Sequence, residues 1–180
     1  MKTIDEQGYH FEEWLTPQEI AQDVAQVADR ISKDYQEKEP LFVVVLNGAF
    51  VFAADLIRAL KDIRCEVTFI RVSSYWGMSS TGQLEFIVPL QQVVENRDVI
   101  IVEDIVDTGR TLALLMEQLQ KRNPASLKVC TAFDKPARRV NSFVPDYNGL
   151  TVPDEFIVGY GLDLDGEYRN FDDIRIVRKV

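Results

Sequence analysis

The sequence is short of several things, and each shortage narrows its chemistry. It holds one histidine, His10, and two cysteines, Cys65 and Cys130. The cysteines are far apart, each inside an apolar segment, which reads as two buried free thiols in a reducing compartment rather than a disulfide. His10 reads as structural or solvated. Basic residues are outnumbered, 20 Lys and Arg against 29 Asp and Glu, for a net charge of -9. With no basic excess to neutralise a phosphate backbone, nucleic acid is not an expected partner. A small phosphorylated ligand needs only a local site and stays open. No apolar run approaches the roughly 20 residues of a membrane span. The opening MKTIDEQGYHFEEW is too acidic and broken for a signal peptide. A cytoplasmic protein with no membrane partner is expected.

What is present is ordinary globular material. With 180 residues, 46% hydrophobic, the chain is long enough to bury a substantial core, and one domain over 1–180 is expected. Thr16-Pro17-Gln18-Glu19 is a capping box with proline in the first helical position. Ile20, Val24, Val27 and Ile31 follow at helical spacing. LFVVVLNGAF (41–50) reads as a strand into a tight loop, and FVFAADLIRAL (50–60) as a helix. CEVTFIRVSSY (65–75) alternates and is rich in β-branched residues, hence a strand. WGMSSTGQ (76–83) has the composition of a mobile loop, with a returning strand over 84–88. A buried strand at 99–102, a helix over 112–119, a strand at 126–133 and a short strand within EFIVGYGLD (155–163) complete the pattern. The prolines of 136–153 mark a polar stretch between the last two. Buried strands alternating with helices imply an α/β fold, a mostly parallel sheet covered on both faces, with 42–46 and 99–102 central. The termini read as additions to this core.

The informative segment is VIIVEDIVDTGRT (99–111). A core strand gains nothing by running into Glu103, Asp104 and then Asp107, since clustered carboxylates repel and resist desolvation. In open α/β sheets, ligands bind where strands lead into helices. Asp107 and Thr108 can stand at the helix start, and Gly109 allows close approach of a ligand to the backbone. The amides of 108–111 then favour a phosphate, with the Thr108 and Thr111 hydroxyls adding hydrogen bonds. Glu103 and Asp104 can accept from sugar hydroxyls or approach magnesium. A phosphorylated sugar suits the whole stretch. Carboxylates favouring a helix dipole would explain Asp107 but not the other two acids. A nucleotide-triphosphate P-loop lacks its first glycine and its Gly-Lys-Ser/Thr ending. A phosphorylation-receiver pocket would spread its acids over several strands.

VEDIVDTGRT resembles the ribose-phosphate-pyrophosphate motif of the type I phosphoribosyltransferases. LNGAFVFAADL (46–56), FIRVSSYWGMSSTG (69–82) and PDEFIVGYGLDLDGEYRN (153–170) narrow the resemblance to the hypoxanthine-guanine group, over roughly 40–178. That resemblance implies a central sheet with a small hood formed by the terminal segments, and transfer of ribose 5-phosphate from phosphoribosyl pyrophosphate to a 6-oxopurine. By the same resemblance, Glu103 and Asp104 hold the ribose hydroxyls, and Asp107 is the catalytic acid/base at purine nitrogen 7. Thr108, Gly109, Arg110 and Thr111 cradle the 5-phosphate. Lys135 donates to the purine oxygen, Phe156 stacks on the base, and the Ile157 backbone reads its edge. Asp163 binds Mg2+, with Glu103 and Asp104 as further candidates, and Arg169 meets the pyrophosphate. Asn47-Gly48 forms the pyrophosphate loop, which in this family often holds a non-proline cis peptide. Ser74 and Tyr75 belong to a lid over 74–83. A homodimer or homotetramer is implied. Many relatives place a basic residue where this chain has Asn47, and a lysine where it has Arg110.

Each role has a plainer counterpart. Lys135 alone would read as solvent-facing, Phe156 as core packing, and Arg169 as a surface partner of Glu167. Two rival functions remain: a nucleotide-sensing regulatory protein on the same fold, and an enzyme for xanthine or for hypoxanthine alone. A lysine beside a carbonyl oxygen selects oxo-purines over adenine in any of the enzyme readings.

Overall fold

In the computed structural model, residues 3–6, 8–75 and 83–180 are described. The core is a six-stranded sheet in the order β5-β4-β3-β6-β7-β8. Its members are β3 (Leu41–Leu46), β4 (Glu66–Tyr75), β5 (Gln83–Val88), β6 (Asp98–Val106), β7 (Ser126–Asp134) and β8 (Tyr147–Thr151). All neighbours are parallel except β5, which returns antiparallel along β4 at the edge. As the unbroken apolar runs imply, β3 and β6 are central.

The two faces of β3 show why its residues do not alternate. Phe42 and Val44 point with Ile100 and Val102 into a cluster under α1 (Pro17–Asp34) and α2 (Phe50–Ala59). Leu41, Val43 and Val45 point with Val99 and Ile101 into a second cluster under α3 (Arg110–Gln120). Each strand residue is thus buried on one side or the other. The α1 cap is the expected one: the Glu19 amide donates to Thr16 Oγ1 at 3.3 Å, and the Thr16 amide donates to Glu19 Oε2 at 2.8 Å. Ile20, Val24, Val27, Ala28 and Ile31 form its buried face.

A second, antiparallel sheet in the order β1-β2-β10-β9 makes the hood. It joins β1 (Thr3–Glu6), β2 (Tyr9–Leu15), β9 (Ile157–Val158) and β10 (Ile174–Lys179). Phe11, Val158 and Val177 form its small core, with Phe171 and Tyr168 packed against them.

Three differences from the sequence reading stand out. β6 does not stop at Val102: its ladder with β7 continues through Glu103↔Thr131 to Val106↔Asp134, so both acids lie on strand backbone. β8 occupies what reads as an irregular polar stretch. Its Gly149 is required there, because a Cβ would sit 2.3 Å from the Ala132 carbonyl oxygen of β7. Finally, the helix after the acids is capped by Gly109 in the left-handed region (φ 75°), not by Asp107 or Thr108. Both cysteines are free, Cys130 buried in β7 and Cys65 half-buried. No helix among the described residues is long and apolar enough to cross a membrane.

Candidate active site

At the carboxyl ends of β3 and β6, three loops enclose a cavity of about 350 Å³. Its walls are Asn47 and Gly48 after β3, residues 103–112 running from β6 into α3, and Asp163 with Arg169 from the loop after β9. The loops touch closely. A Cβ on Gly48 would lie 1.5 Å from Asp104 Oδ2, and one on Gly161 (φ 99°) would lie 2.2 Å from the Gly48 carbonyl oxygen. Glycine is the residue that lets these three segments meet. The Leu46–Asn47 peptide is cis, as the resemblance implies for this loop.

The acids have distinct surroundings. Burial, and then the adjacent Asp104 charge, push the Glu103 carboxyl well above the usual carboxylate range. Burial raises Asp104 too, opposed by hydrogen bonds from its neighbours, including the Ile105 amide to Oδ1 at 2.6 Å, and by the positive Arg169. Two crowded carboxylates resist ionising together, so this pair is poised to meet hydroxyl donors or a cation. Asp107 lies beyond the strand. Its Oδ1 is 2.7 Å from Arg138 Nε, and Arg138 also reaches Asp154 Oδ1 at 3.3 Å.

Arg169 does not pair with Glu167. Its Nη2 lies 2.6 Å from Asp163 Oδ1, and its Nη1 donates to the Gly161 carbonyl at 2.6 Å. Asp163 Oδ2 accepts from the Gly166 amide at 2.8 Å.

Lys135, Phe156 and Ile157 do not line the cavity but adjoin it. Lys135 is buried rather than solvent-facing, and its Nζ donates to the Glu155 carbonyl at 2.6 Å. Burial lowers its pKa, with the Asp107 charge pulling the other way. Phe156 is 50% exposed, which removes the core-packing reading, and it follows directly on Glu155, whose carbonyl Lys135 holds. Ile157 is buried in β9, its backbone held opposite Ile176. β4 ends at Tyr75 and β5 begins at Gln83. Of the lid expected over 74–83, Ser74 and Tyr75 are the last residues of β4, and residues 76–82 lie outside the described residues.

Three site neighbours escape the sequence reading: Arg138, Arg139 and Asn141. They follow Lys135 in FDKPARRVN, and no motif spacing marks them. They matter because this loop folds back on the 107–109 turn.

The phosphoribosyl transferase domain family matches residues 10–165. A hypoxanthine-guanine phosphoribosyltransferase of Lactococcus lactis is 39% identical over 165 residues, covering 91% of this chain and 89% of that protein. One from Streptococcus thermophilus is 41% identical over 166 residues and 92% of each. Among solved structures, a hypoxanthine phosphoribosyltransferase from Staphylococcus aureus superposes with a TM-score of 0.88 at 40% identity. It covers 93% of this chain and 91% of that one.

Proposed function

From the phosphoribosyltransferase family, to which this chain belongs, we propose a purine-salvage enzyme that moves ribose 5-phosphate from phosphoribosyl pyrophosphate to hypoxanthine and guanine. The products are the purine nucleotide and pyrophosphate. The observation that carries this reading is the pairing of two adjoining sites. One is an acid-floored, glycine-walled cavity that suits a sugar phosphate; the other holds the buried Lys135, bonded to the Glu155 carbonyl, and the exposed Phe156 that follows Glu155.

In this reading the 5-phosphate rests on the amides of 108–111 at the α3 N-terminus, and the Glu103–Asp104 pair accepts from the ribose hydroxyls. As the bond to pyrophosphate breaks, positive charge grows on the sugar ring, and the same carboxylates stabilise it. Asp107 holds or takes the proton at purine nitrogen 7. Lys135, turned from the Glu155 carbonyl to the base, donates to the six-position oxygen and rejects an amino group there. Phe156 stacks on the ring, and the Ile157 backbone reads its edge. Arg169 and the Asn47–Gly48 backbone receive the pyrophosphate, with the Arg110 guanidinium adding positive charge at the phosphate end. The lid led by Ser74 and Tyr75 excludes water from the activated sugar.

Magnesium fits this donor set, because it is held by one or two carboxylates together with substrate phosphates and water. Asp163, at the cavity wall, would hold it, with Glu103 and Asp104 facing the same space. When bound it supplies positive charge to the leaving pyrophosphate. The working compartment in this reading is the cytoplasm, which suits two free thiols. The assembly is a homodimer or homotetramer, to be checked by light scattering.

The test is a substrate panel with magnesium and phosphoribosyl pyrophosphate. Nucleotide formed from hypoxanthine and guanine, and none from adenine, supports the assignment. Product from xanthine alone, or sugar pyrophosphate bound with no turnover of any base, overturns it.

A further inference from the structure

The loop after Lys135 takes up four consecutive carbonyls of the turn from β6 into α3. The Lys135 amide donates to Val106 O at 2.9 Å, and Arg139 Nη1 to Asp107 O at 3.1 Å. The Val140 amide donates to Thr108 O at 3.2 Å, and Asn141 Nδ2 to Gly109 O at 3.2 Å. In a trans peptide the carbonyl and the following N–H point in opposite directions. Carbonyls 107, 108 and 109 drawn toward this strap therefore turn the amides of Thr108, Gly109 and Arg110 to the other side. That other side is the cavity: 107–111 line it, and Arg139, Val140 and Asn141 do not.

The strap is itself fixed. The Arg139 side chain is mostly covered and paired with the Asp134 carboxylate, its guanidinium 5.8 Å from the Phe143 ring. Asn141 Oδ1 accepts from the Phe143 amide at 3.2 Å, so one amide group closes the strap's own turn and holds Gly109. The fit is close: a Cβ on Gly109 would be 2.9 Å from Asn141 Oδ1 and 3.0 Å from Arg139 Cδ.

We propose that Asn141, with Arg139, is a positioning residue for the 5-phosphate: it touches no substrate, and it aims the amides that do. The proposal rests on the assignment of 108–111 to a sugar phosphate. Asn141 is the member to test, because its donor can be removed with little change in size.

Asn141→Asp keeps the acceptor for Phe143 and loses the donor to Gly109. Ribose 5-phosphate, which lacks both base and pyrophosphate, is titrated calorimetrically into wild type and variant. Affinity should fall roughly fivefold or more, the scale of one lost hydrogen bond. The KM for phosphoribosyl pyrophosphate should rise in step, while the KM for hypoxanthine stays within experimental error. Asn141→Ala, which removes the donor without adding a charge, should show the same split and guards against a folding defect in the first variant. Wild-type affinity for ribose 5-phosphate in either folded variant overturns the proposal, as does an equal rise in both KM values. Wild-type turnover is measured alongside: its absence overturns the assigned function, whereas intact turnover with no split overturns only the role of Asn141.

Discussion

Asp163 and Arg169, which the proposed reaction assigns to magnesium and pyrophosphate, hold each other at 2.6 Å. In that proposal each holds the place of the other's ligand, the arginine that of the cation and the aspartate that of the anion. Asp163→Asn removes the proposed metal ligand and leaves Arg169 its Gly161 carbonyl. The magnesium concentration for half-maximal rate should rise roughly 10- to 100-fold, as when a metal site loses a supporting group. A magnesium titration at saturating base reads it, and an unchanged midpoint would remove Asp163 from the metal site.

Asp107→Asn keeps the shape of the side chain and abolishes its basicity. Turnover should drop by roughly 10²- to 10⁴-fold, the usual contribution of a positioned acid/base. Ribose 5-phosphate affinity should hold, because the loop carbonyls are fixed by the strap and not by this carboxylate. Single-turnover kinetics with a binding titration separate the two, and wild-type turnover would refute the role.

Gly48→Ala brings a methyl group into the space of Asp104 Oδ2, 1.5 Å away. The carboxylate must shift, and Gly48 cannot retreat because Gly161 rests on its carbonyl. Stability should fall by about 1–3 kcal/mol, the typical cost of overpacking. Activity should fall further than stability predicts, since the displaced group is Asp104. Urea denaturation and initial rates on the same preparation test this, and a variant with full activity would show that Asp104 is free to move.

Asp23, on α1 against β8, is pushed by burial up to about 6 from an ordinary 3.8, against the opposing pull of Arg30. Arg30 itself donates to the Asn148 carbonyl. Between those pH values the folded chain holds a proton that the unfolded chain has released, so stability declines as pH rises through the window. Asp23→Asn should flatten this decline. With the group half-exposed, the gain at pH 8 is on the order of 1 kcal/mol, or roughly 2–4 °C in Tm, and should vanish near pH 4. Thermal melts across pH decide it: an equal gain at both ends would assign the effect to something other than this carboxylate.

The parts legible in the sequence are those written locally. The α1 cap is set by Thr16 and Glu19 three residues apart, and β3 and β6 by unbroken apolar runs. The cavity wall of 103–111 and the roles suggested for Lys135 and Arg169 are likewise carried by short motifs. What escapes the sequence reading is long-range. β8 (YNGLT) lacks a β-strand composition, and it exists because β7 offers an edge and Gly149 lets the backbone approach Ala132. β2 buries Phe11 and Leu15 while Glu13 at an intervening alternate position stays half-exposed, which blurs its period-two signal. Arg139 and Asn141 act on carbonyls 32 residues earlier in the chain. No spacing rule reports such a contact.

In the proposed function the base and the sugar phosphate stand on different foundations. The cavity floor belongs to the parallel sheet, whereas Ile157 is paired to β10, and β10 in turn to β2 near the start of the chain. Loosening the β9–β10 pair should therefore disturb the proposed base wall while leaving the cavity floor in place.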